Sequence, residues 1–310
     1  MGAMAGAAFG QTGWVAARRG PAGKDLSTVY FADSKRGWIG GDEGFVSYTS
    51  DGGHSWAQQT LDTRNGVNDI YFRNKENGYL LAGDTIFKTE DGGRTWREAR
   101  RFLPKEFDGA AAELYNLRFS SKKKGWVIGS VSRDDHVVDS LLIYTDDAGA
   151  TWQRKRVPVH EELFHLDFVD DKRGWIVGSA GAILYTEDAG ETWIAQRSGT
   201  NATLYGIAFR NSKTGWAVGG RGTILLTTDG GARWTRVSSP VKNTLLSVQF
   251  VDEERGWIVG RGGVILRSDD GGQTWLQQQS QTKQNLYALF IENKNGWAVG
   301  GDGIVLQYER

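Results

Sequence analysis

The sequence predicts an all-β protein, a single seven-bladed β-propeller built from four-stranded antiparallel blades. Three observations lead to this prediction. A Gly-aromatic pair recurs about every forty residues, a turn motif follows six of the seven pairs, and an apolar strand precedes each pair. A repeat of this length with strand-like content is typical of a propeller blade. The chain has 310 residues, a length that one propeller can occupy as a single unit.

The period of the repeat is read from the Gly-aromatic pairs and from the apolar strand before each pair. The aromatic residues are Trp38, Tyr79, Trp126, Trp175, Trp216, Trp257 and Trp297, at intervals of 41, 47, 49, 41, 41 and 40 residues. A Phe lies seven residues before the aromatic in six copies, at Phe31, Phe72, Phe119, Phe168, Phe209 and Phe250, and Ile291 lies six before Trp297. Apolar residues at alternate positions, as in LYGIAF, predict strands with one face on a core.

The turn motif is a Ser or Thr, an Asp two residues later, a Gly two after that and a Trp three further on, as in TEDAGETW. It resembles the Asp-box, a β-hairpin turn of sialidase-like propellers. Its members are Asp51, Asp91, Asp147, Asp188, Asp229 and Asp270 with Trp56, Trp96, Trp152, Trp193, Trp234 and Trp275. Asp bonds backbone amides across a turn, Gly accepts positive φ, and Trp anchors the hairpin. We expect a structural role for these residues and not a catalytic one.

The N-terminal strand is predicted to close the ring. Each blade divides into strands A to D, but the last blade ends at GIVLQYER, after strand C. Residues 11–19, which contain Trp14, match the strand D pattern and complete blade seven without a covalent link, which removes the free edge. The domain prediction is therefore one propeller over 11–310, preceded by a leader or tag remnant at 1–10.

Composition excludes several function classes. Lys and Arg number 37, as do Asp and Glu, so the basic excess of a nucleic-acid binder is missing. The chain has no cysteine, no HExxH motif and no apolar run long enough to span a bilayer. His136 beside Asp134 and Asp135 is too small a ligand set to predict a metal. We therefore predict no metal, no cofactor and no catalytic residue.

The predicted binding face carries the D-to-A and B-to-C loops, where the repeat is irregular. Long segments leave blade two (RRFLPKEFDGAAAE) and interrupt blade three (SVSRDDHVVDS), and Arg18 and Arg19 are expected near the same rim. Inserted loops on a rigid scaffold commonly hold binding sites. We predict that arginines of this face bind an acidic or carboxylate-bearing protein segment. They are Arg221 and Arg261, at matching B-to-C turns, with Arg100, Arg101, Arg133, Arg154 and Arg156. The alternative is that these loops are simply solvated. The opposite face, with short similar A-to-B loops, is expected to be solvated.

A carbohydrate-binding or glycoside-hydrolysing propeller is the rival function. Hydrolysis needs two carboxylates, about 5 Å apart for retention and wider for inversion. Asp134, Asp135, Glu161 and Glu162 are the candidates on the loop-rich face. The sialidase Arg-Ile-Pro is missing, and no Tyr–Glu arrangement is evident. The sequence also shows no odd buried carboxylate motif, which favours binding over catalysis.

The whole pattern resembles the Ycf48/HCF136 family of photosystem II assembly factors and their bacterial relatives. The resemblance rests on GWIVGSAGAILYTEDAGETW (174–193), GWAVGGRGTILLTTDGGARW (215–234) and NLYALFIENKNGWAVGGDGIVLQY (285–308). It implies a seven-bladed, non-enzymatic, extracytoplasmic scaffold that holds a membrane-protein subunit during assembly. In the photosynthetic branch an arginine-rich patch is proposed as the contact, but the arginines here do not lie in a shared motif that would carry it over residue by residue. The lipid-attachment cysteine of many members is absent from this sequence.

Overall fold

The computed structural model describes residues 13–292 and 295–309, which form seven four-stranded antiparallel sheets. In every sheet strand A is innermost and strand D outermost, and the innermost strands of adjacent blades contact one another around the ring. The predicted all-β, seven-bladed propeller is therefore confirmed. The predicted leader or tag remnant at 1–10 lies outside the described residues.

The strands follow the predicted order A, B, C, D. The first, β1 (Gly13–Arg18), belongs to the last blade. Blades one to three contain β2 (Leu26–Phe31), β3 (Gly37–Gly41), β4 (Phe45–Thr49), β5 (Ala57–Gln59), β6 (Val67–Phe72), β7 (Gly78–Ala82), β8 (Thr85–Thr89), β9 (Arg97–Arg101), β10 (Ala111–Phe119), β11 (Gly125–Arg133), β12 (His136–Thr145) and β13 (Gln153–Lys155).

The strands of the remaining blades lack the extension seen in β10, β11 and β12 of blade three. Blades four to seven contain β14 (Leu163–Phe168), β15 (Gly174–Gly178), β16 (Ile183–Thr186), β17 (Ile194–Gln196), β18 (Leu204–Phe209), β19 (Gly215–Gly219), β20 (Thr223–Thr227), β21 (Thr235–Val237), β22 (Leu245–Phe250), β23 (Gly256–Gly260), β24 (Val264–Ser268), β25 (Leu276–Gln278), β26 (Leu286–Glu292), β27 (Asn295–Gly300) and β28 (Ile304–Glu309). Short 3₁₀ turns lie at Asp42–Gly44, Pro104–Phe107, Ser179–Gly181, Gly220–Gly222 and Gly301–Gly303. Among the described residues, no helix is long and apolar enough to cross a membrane.

Blade seven closes the ring as predicted. Strand β1 pairs antiparallel with β28, with Trp14 opposite Tyr308. The Trp14 ring is 2% exposed, lies 5.3 Å from the Tyr308 ring and donates a hydrogen bond to Gln278 Oε1 at 3.2 Å. The outermost strand of blade seven thus comes from the opposite end of the chain, and the seam is held by packing and hydrogen bonds.

The Gly-aromatic pair is explained by packing between blades. A Cβ atom on Gly215 would lie 2.5 Å from the ring of Phe209 in the same blade, so only glycine fits beneath that ring. Trp175 of blade four stacks on Phe209 of blade five at 3.5 Å between ring centroids, and Trp216 stacks on Phe250 at 3.7 Å. The core consists of such clusters between adjacent sheets. Each blade therefore depends on its neighbour for burial of its aromatic residues.

The predicted simple alternation of the innermost strands is wrong. Each of the seven strands A shifts register against strand B, after its first residue in six blades, as between Leu163 and His165, and after Leu114 in the longer β10. The extra residue is a β-bulge, so the Leu and Val positions buried between sheets are the first and fourth, as for Leu204 and Ile207. The second residue of each strand A is redirected as a result, which matters for the candidate site.

The hydrogen bonds of the Asp-box turns centre on the Thr or Ser that precedes the Asp. In blade four, the buried Thr186 hydroxyl donates to Asp188 Oδ1 at 2.8 Å and accepts the Gly190 amide at 2.8 Å. Asp188 in turn accepts the amide and hydroxyl of Thr192, at 2.9 and 2.6 Å. These bonds satisfy the turn internally and leave Trp193 7% exposed beneath it.

Candidate functional site

The loop-rich face carries Arg221 and Arg261 on the B-to-C turns of blades five and six. Both side chains are exposed, and neither forms an ion pair within the part of the chain that the structure describes. The two turns are equivalent, but the two arginines occupy different positions within them. The Arg261 amide donates to Thr244 O, as the Gly220 amide donates to Thr203 O, so Arg261 occupies the first turn position. Arg221 is one position later, with φ of 55°.

Three other predicted arginines hold the long loop after blade two in place. Arg100 pairs with Glu106, and Arg133 donates to Asp108 O at 2.9 Å. The Arg154 guanidinium lies 5.1 Å above the Phe107 ring and pairs with Asp139 at 2.6 Å. Phe102 and Phe107 of this loop are buried.

The seven predicted arginines therefore do not form one patch. Arg101 pairs with Glu98 at 2.7 Å, so four of the seven are committed to neighbours in the chain. Within the described residues, Arg156, Arg221 and Arg261 carry no ion pair and are exposed. The blade-three insertion, expected to be a loop, is a hairpin formed by extended β11 and β12.

The bulge residues form a ring at the mouth of the central channel on this face, because strand A begins beside the B-to-C turns. They are Ser27, Asn68, Tyr115, Phe164, Tyr205, Leu246 and Tyr287, all half-buried. The rings of Tyr115 and Phe164 stack at 5.5 Å between centroids, and those of Phe164 and Tyr205 lie 5.0 Å apart. We call Tyr115, Phe164 and Tyr205 the aromatic crescent. The sequence signal was the residue after the Leu, or in blade two the Val, that precedes each register shift.

Carboxylates stand beside the aromatic crescent. Glu162 accepts the Tyr115 hydroxyl at 2.7 Å, and Glu113 accepts the Asn68 side-chain amide at 2.9 Å. Both are half-buried, and neither pairs with a cation among the described residues. Burial, together with the charges of Asp84 and Glu162, raises the pKa of Glu113. The centre of the face is therefore aromatic and acidic, while its free arginines lie on the surrounding turns and loops.

The channel below holds polar residues that we did not expect; Asp69 is buried and Asp167 is half-buried. Asp69 accepts the Leu117 amide at 2.8 Å, and Asp167 accepts the Phe209 amide at 2.8 Å. The expectation of no odd buried carboxylate is thus wrong. Strand A is the inner edge of its sheet, and its free amides need acceptors. In five such contacts the preceding blade supplies the acceptor; the donors and acceptors are Leu117–Asp69, Leu166–Asn116, Ile207–His165, Phe209–Asp167 and Ile291–Gln249.

Burial governs the ionisation of these channel groups. It raises the pKa of Asp167 to about 6. Burial, with the nearby positive charge of Arg118, lowers the pKa of His165 to about 3, so this imidazole is neutral. Arg118 Nη1 lies 2.8 Å from Asp69 Oδ2. The carboxylates of the channel thus stabilise contacts between blades.

A cavity of about 510 Å³ occupies the channel. Asp167, Gln249 and the Arg118–Asp69 pair line it, and it reaches Arg210 and Asp252 at the A-to-B side. That face was expected to be merely solvated, yet the cavity lies nearer to it than to the loop-rich face. No group of three or more His, Asp or Glu side chains in the described ranges is arranged to hold a metal.

The four carboxylates considered for glycoside hydrolysis lie in two adjacent pairs on two different segments. Asp134 and Asp135 form the exposed tip of the β11–β12 hairpin, with φ of 50° and 62°. Glu161 and Glu162 directly precede β14, and Glu162 is bonded to Tyr115. The loop-rich face thus has two candidate binding regions: the free arginines, which were predicted, and the aromatic crescent, which was not.

Seven blades with six Asp-box turns define the class of this protein, an Asp-box propeller. A family model described as "Photosynthesis system II assembly factor YCF48" matches residues 109–200, 145–238, 195–279 and 232–309, which together make up more than half of the chain. The chain therefore belongs to the YCF48 photosystem II assembly factor family.

Individual relatives match over shorter or more distant stretches. The photosystem II stability/assembly factor HCF136 of Arabidopsis thaliana is 37% identical over 82 residues, 25% of this chain and 17% of that protein. The Oryza sativa subsp. japonica protein is 35% identical over 82 residues, 25% of this chain and 16% of that protein. The matched stretch thus spans less than a fifth of either curated relative.

Solved structures show the same fold. YCF48 bound to a D1 peptide has a TM-score of 0.77 at 23% identity, over 96% of this chain and 97% of that one. YCF48 from Cyanidioschyzon merolae has a TM-score of 0.76 at 19% identity, over 96% and 98%. The GH74 xyloglucanase of Xanthomonas campestris has a TM-score of 0.69 at 17% identity, over 94% and 53%. At these identities the likeness establishes the propeller alone.

Proposed function

We propose that this protein is a non-enzymatic scaffold that holds a segment of a membrane-protein subunit while a membrane complex is assembled. Membership of the photosystem II assembly factor family supports the assembly role. The solved YCF48 that carries a D1 peptide supports a protein segment as the ligand. We further propose an extracytoplasmic location, on the basis of the family resemblance.

The choice of face rests on the long segments inserted there after blade two and in blade three, together with three arginines that lack an ion pair among the described residues. Arg156, Arg221 and Arg261 are exposed on the loop-rich face without an ion pair among the described residues. A guanidinium can form two parallel hydrogen bonds to one carboxylate, so these side chains suit an acidic segment or a terminal carboxylate. Arg100, Arg101, Arg133 and Arg154 support the loops instead and are assigned no direct contact.

The absence of catalysis is proposed from the roles of the buried carboxylates. Asp69 Oδ2 accepts three hydrogen bonds, from Asn116, Leu117 and Arg118, and Asp167 accepts the Phe209 amide. Groups used in this way are fixed as contacts between blades. The alternative, a sugar-binding or sugar-hydrolysing propeller, is favoured by one observation, the cavity beside Asp167, whose raised pKa suits a proton donor.

Capture from detergent-solubilised membranes of the source organism tests the scaffold role. The bait is the wild-type protein, the double variant Arg221→Glu/Arg261→Glu, or the control Arg94→Glu/Arg233→Glu. The control arginines are also exposed and lack ion pairs among the described residues, but they lie in Asp-box turns on the opposite face.

We expect wild type and control to enrich the same membrane-protein subunit and the Arg221/Arg261 variant to lose it. Equal enrichment by all three baits would remove the arginines from the site. No enrichment by any bait, together with binding or cleavage in a glycan screen, would replace the scaffold with the sugar-directed alternative.

A further inference from the structure

We propose that the aromatic crescent and its two flanking carboxylates bind a cationic side chain, lysine or arginine, of the partner segment. The proposal rests on the scaffold function and adds a chemical requirement on the segment at the centre of the face. In this proposal the free arginines bind negative groups of the partner segment around the channel mouth. The crescent binds one positive group of the same segment at the centre of the face.

The crescent is a consequence of the repeated bulge. Each bulge adds one residue at the start of an innermost strand, and bulges commonly redirect a side chain next to a functional site. Blades one and two place the small polar Ser27 and Asn68 at this position, whereas blades three to five place Tyr115, Phe164 and Tyr205. Three aromatic rings therefore occupy one side of the mouth, with successive centroids 5.5 and 5.0 Å apart.

These rings are half-buried in a position where no core requires them. The core aromatics of the same blades, Trp126, Trp175 and Trp216, have relative exposures of 0%. Tyr115, Phe164 and Tyr205 instead border solvent at the channel mouth. Exposed aromatic surface that is framed by polar groups is typical of an interaction site.

Charge decides which partner fits. Glu162 accepts the Tyr115 hydroxyl, and Glu113, two residues before Tyr115 on β10, accepts the Asn68 side-chain amide, so each carboxylate is held by a neutral donor. Their mutual repulsion contributes to the raised pKa of Glu113. An ammonium or guanidinium group between them would relieve this repulsion. A cation that reaches an open face of a crescent ring would also be attracted to the quadrupole of that ring.

The same arrangement disfavours the other occupants. A carboxylate of the partner placed here would face two acidic groups without an intervening cation. A neutral aliphatic side chain would cover the rings but leave the carboxylates partly desolvated and unpaired. The partner segment is therefore expected to be mixed, with a basic residue at the crescent and acidic residues near Arg221 and Arg261.

The test uses a minimal probe. N-acetyl-lysine methylamide is titrated into the full-length protein, and aromatic ¹H–¹³C NMR signals of tyrosine and phenylalanine are followed. N-acetyl-norleucine methylamide is the matched neutral probe, and cellotetraose represents a sugar ligand. We expect saturable shifts at the crescent with the lysine probe below about 10 mM, the range of a single well-placed contact.

Two variants locate the charge. Glu113→Gln/Glu162→Gln retains the hydrogen-bond acceptors, and we expect it to weaken the lysine probe about three- to tenfold. Asp135→Asn removes an exposed charge from the same face at the hairpin tip and should leave binding unchanged. Equal binding of the norleucine probe, unchanged binding by the double variant, or no saturable shift would overturn the proposal. Shifts with cellotetraose alone would overturn it in favour of a sugar.

These outcomes are separable from the scaffold function. If the lysine probe fails while membrane capture still depends on Arg221 and Arg261, the cation site is wrong and the scaffold stands. If the probe binds while capture fails, the crescent is a cation site without the proposed assembly role.

Discussion

The Oδ2 atom of Asp69, on the innermost strand of blade two, lies 2.8 Å from Nη1 of Arg118, on the innermost strand of blade three. Asp69 is 6% exposed and also accepts the Leu117 amide. The ion pair thus joins two blades along the channel, where each inner strand presents free amides. We infer that the ion pair and the amide hydrogen bond help to fix the spacing between these two blades.

Removal of the Asp69 carboxylate should be strongly destabilising. Asp69→Ala leaves the Arg118 charge without its partner and the Leu117 amide without an acceptor. Breaking one side of a buried pair typically costs about 3–5 kcal/mol. Urea unfolding measures this loss. Glu98→Ala, which breaks an exposed pair with Arg101, should cost at most about 1 kcal/mol. Similar losses for both variants would contradict the structural role of the channel pair.

Asp167 should make stability depend on pH. Because its folded-state pKa is about 6 and the unfolded value is 3.8, the folded state binds this proton more tightly. Stability from this group is complete below about pH 4 and is lost as the pH rises through about 6. Asp167→Asn removes that loss and retains an acceptor for the Phe209 amide. The variant should gain roughly 1–3 kcal/mol over wild type between pH 4 and 7.

Unfolding free energies measured across this range check the prediction. The neutral His165, with a pKa near 3, adds an opposite slope, but it is present in both proteins and largely cancels in the difference. A difference between variant and wild type that stays constant from pH 4 to pH 7 would show that Asp167 is ionised normally in the channel.

The buried hydroxyl at the start of an Asp-box turn should contribute more to stability than the exposed hydroxyl at its end. Thr186→Val removes a buried hydroxyl that bonds both Asp188 and the Gly190 amide, and the amide is then unsatisfied. We expect a loss of about 1–3 kcal/mol by denaturant unfolding. Thr192→Val at the exposed end of the same turn is the control and should cost less. The reverse order would mean that the aspartate alone supports the turn.

The closure of the ring depends on Trp14. Trp14→Ala removes a buried indole from the seam between β1 and β28, and truncation of a buried Trp typically costs about 3–5 kcal/mol. Thermal unfolding should show a clear fall in Tm. The matched control is Val15→Ala, at a 40% exposed position on the same strand, with an expected change below about 1 kcal/mol. Equal effects would indicate that the strand is held by its backbone pairing alone.

The fold could be predicted because its signals are local and repeated. The Gly-aromatic pair, the Asp-box and the strand D pattern around Trp14 are each only a few residues long. Seven copies of the pair and six of the Asp-box make the pattern clear despite exceptions in single blades. The set of strand A residues that face the core was predicted wrongly. In a short run such as LFHLDF, the only sign of a bulge is the spacing of the buried residues.

The candidate site was harder to predict because it depends on contacts between distant residues. Nothing near Arg154 in the sequence indicates that Asp139 and Phe107 engage it. Asp69 in blade two and Arg118 in blade three stand at non-equivalent positions of the repeat. Alignment of the repeats therefore does not bring the two residues of this ion pair together. A comparison of the second, third and fifth residues across all strands A would have revealed the crescent and the polar channel.

The most direct test of the central claim is a titration of a D1 peptide, the ligand of one solved YCF48, measured by fluorescence anisotropy at low and high salt. We predict that wild type and Arg94→Glu/Arg233→Glu bind alike, and that Arg221→Glu/Arg261→Glu raises Kd at least about tenfold at low salt, with a smaller difference at high salt. Equal Kd values for all three proteins would contradict an arginine-dependent contact on the loop-rich face.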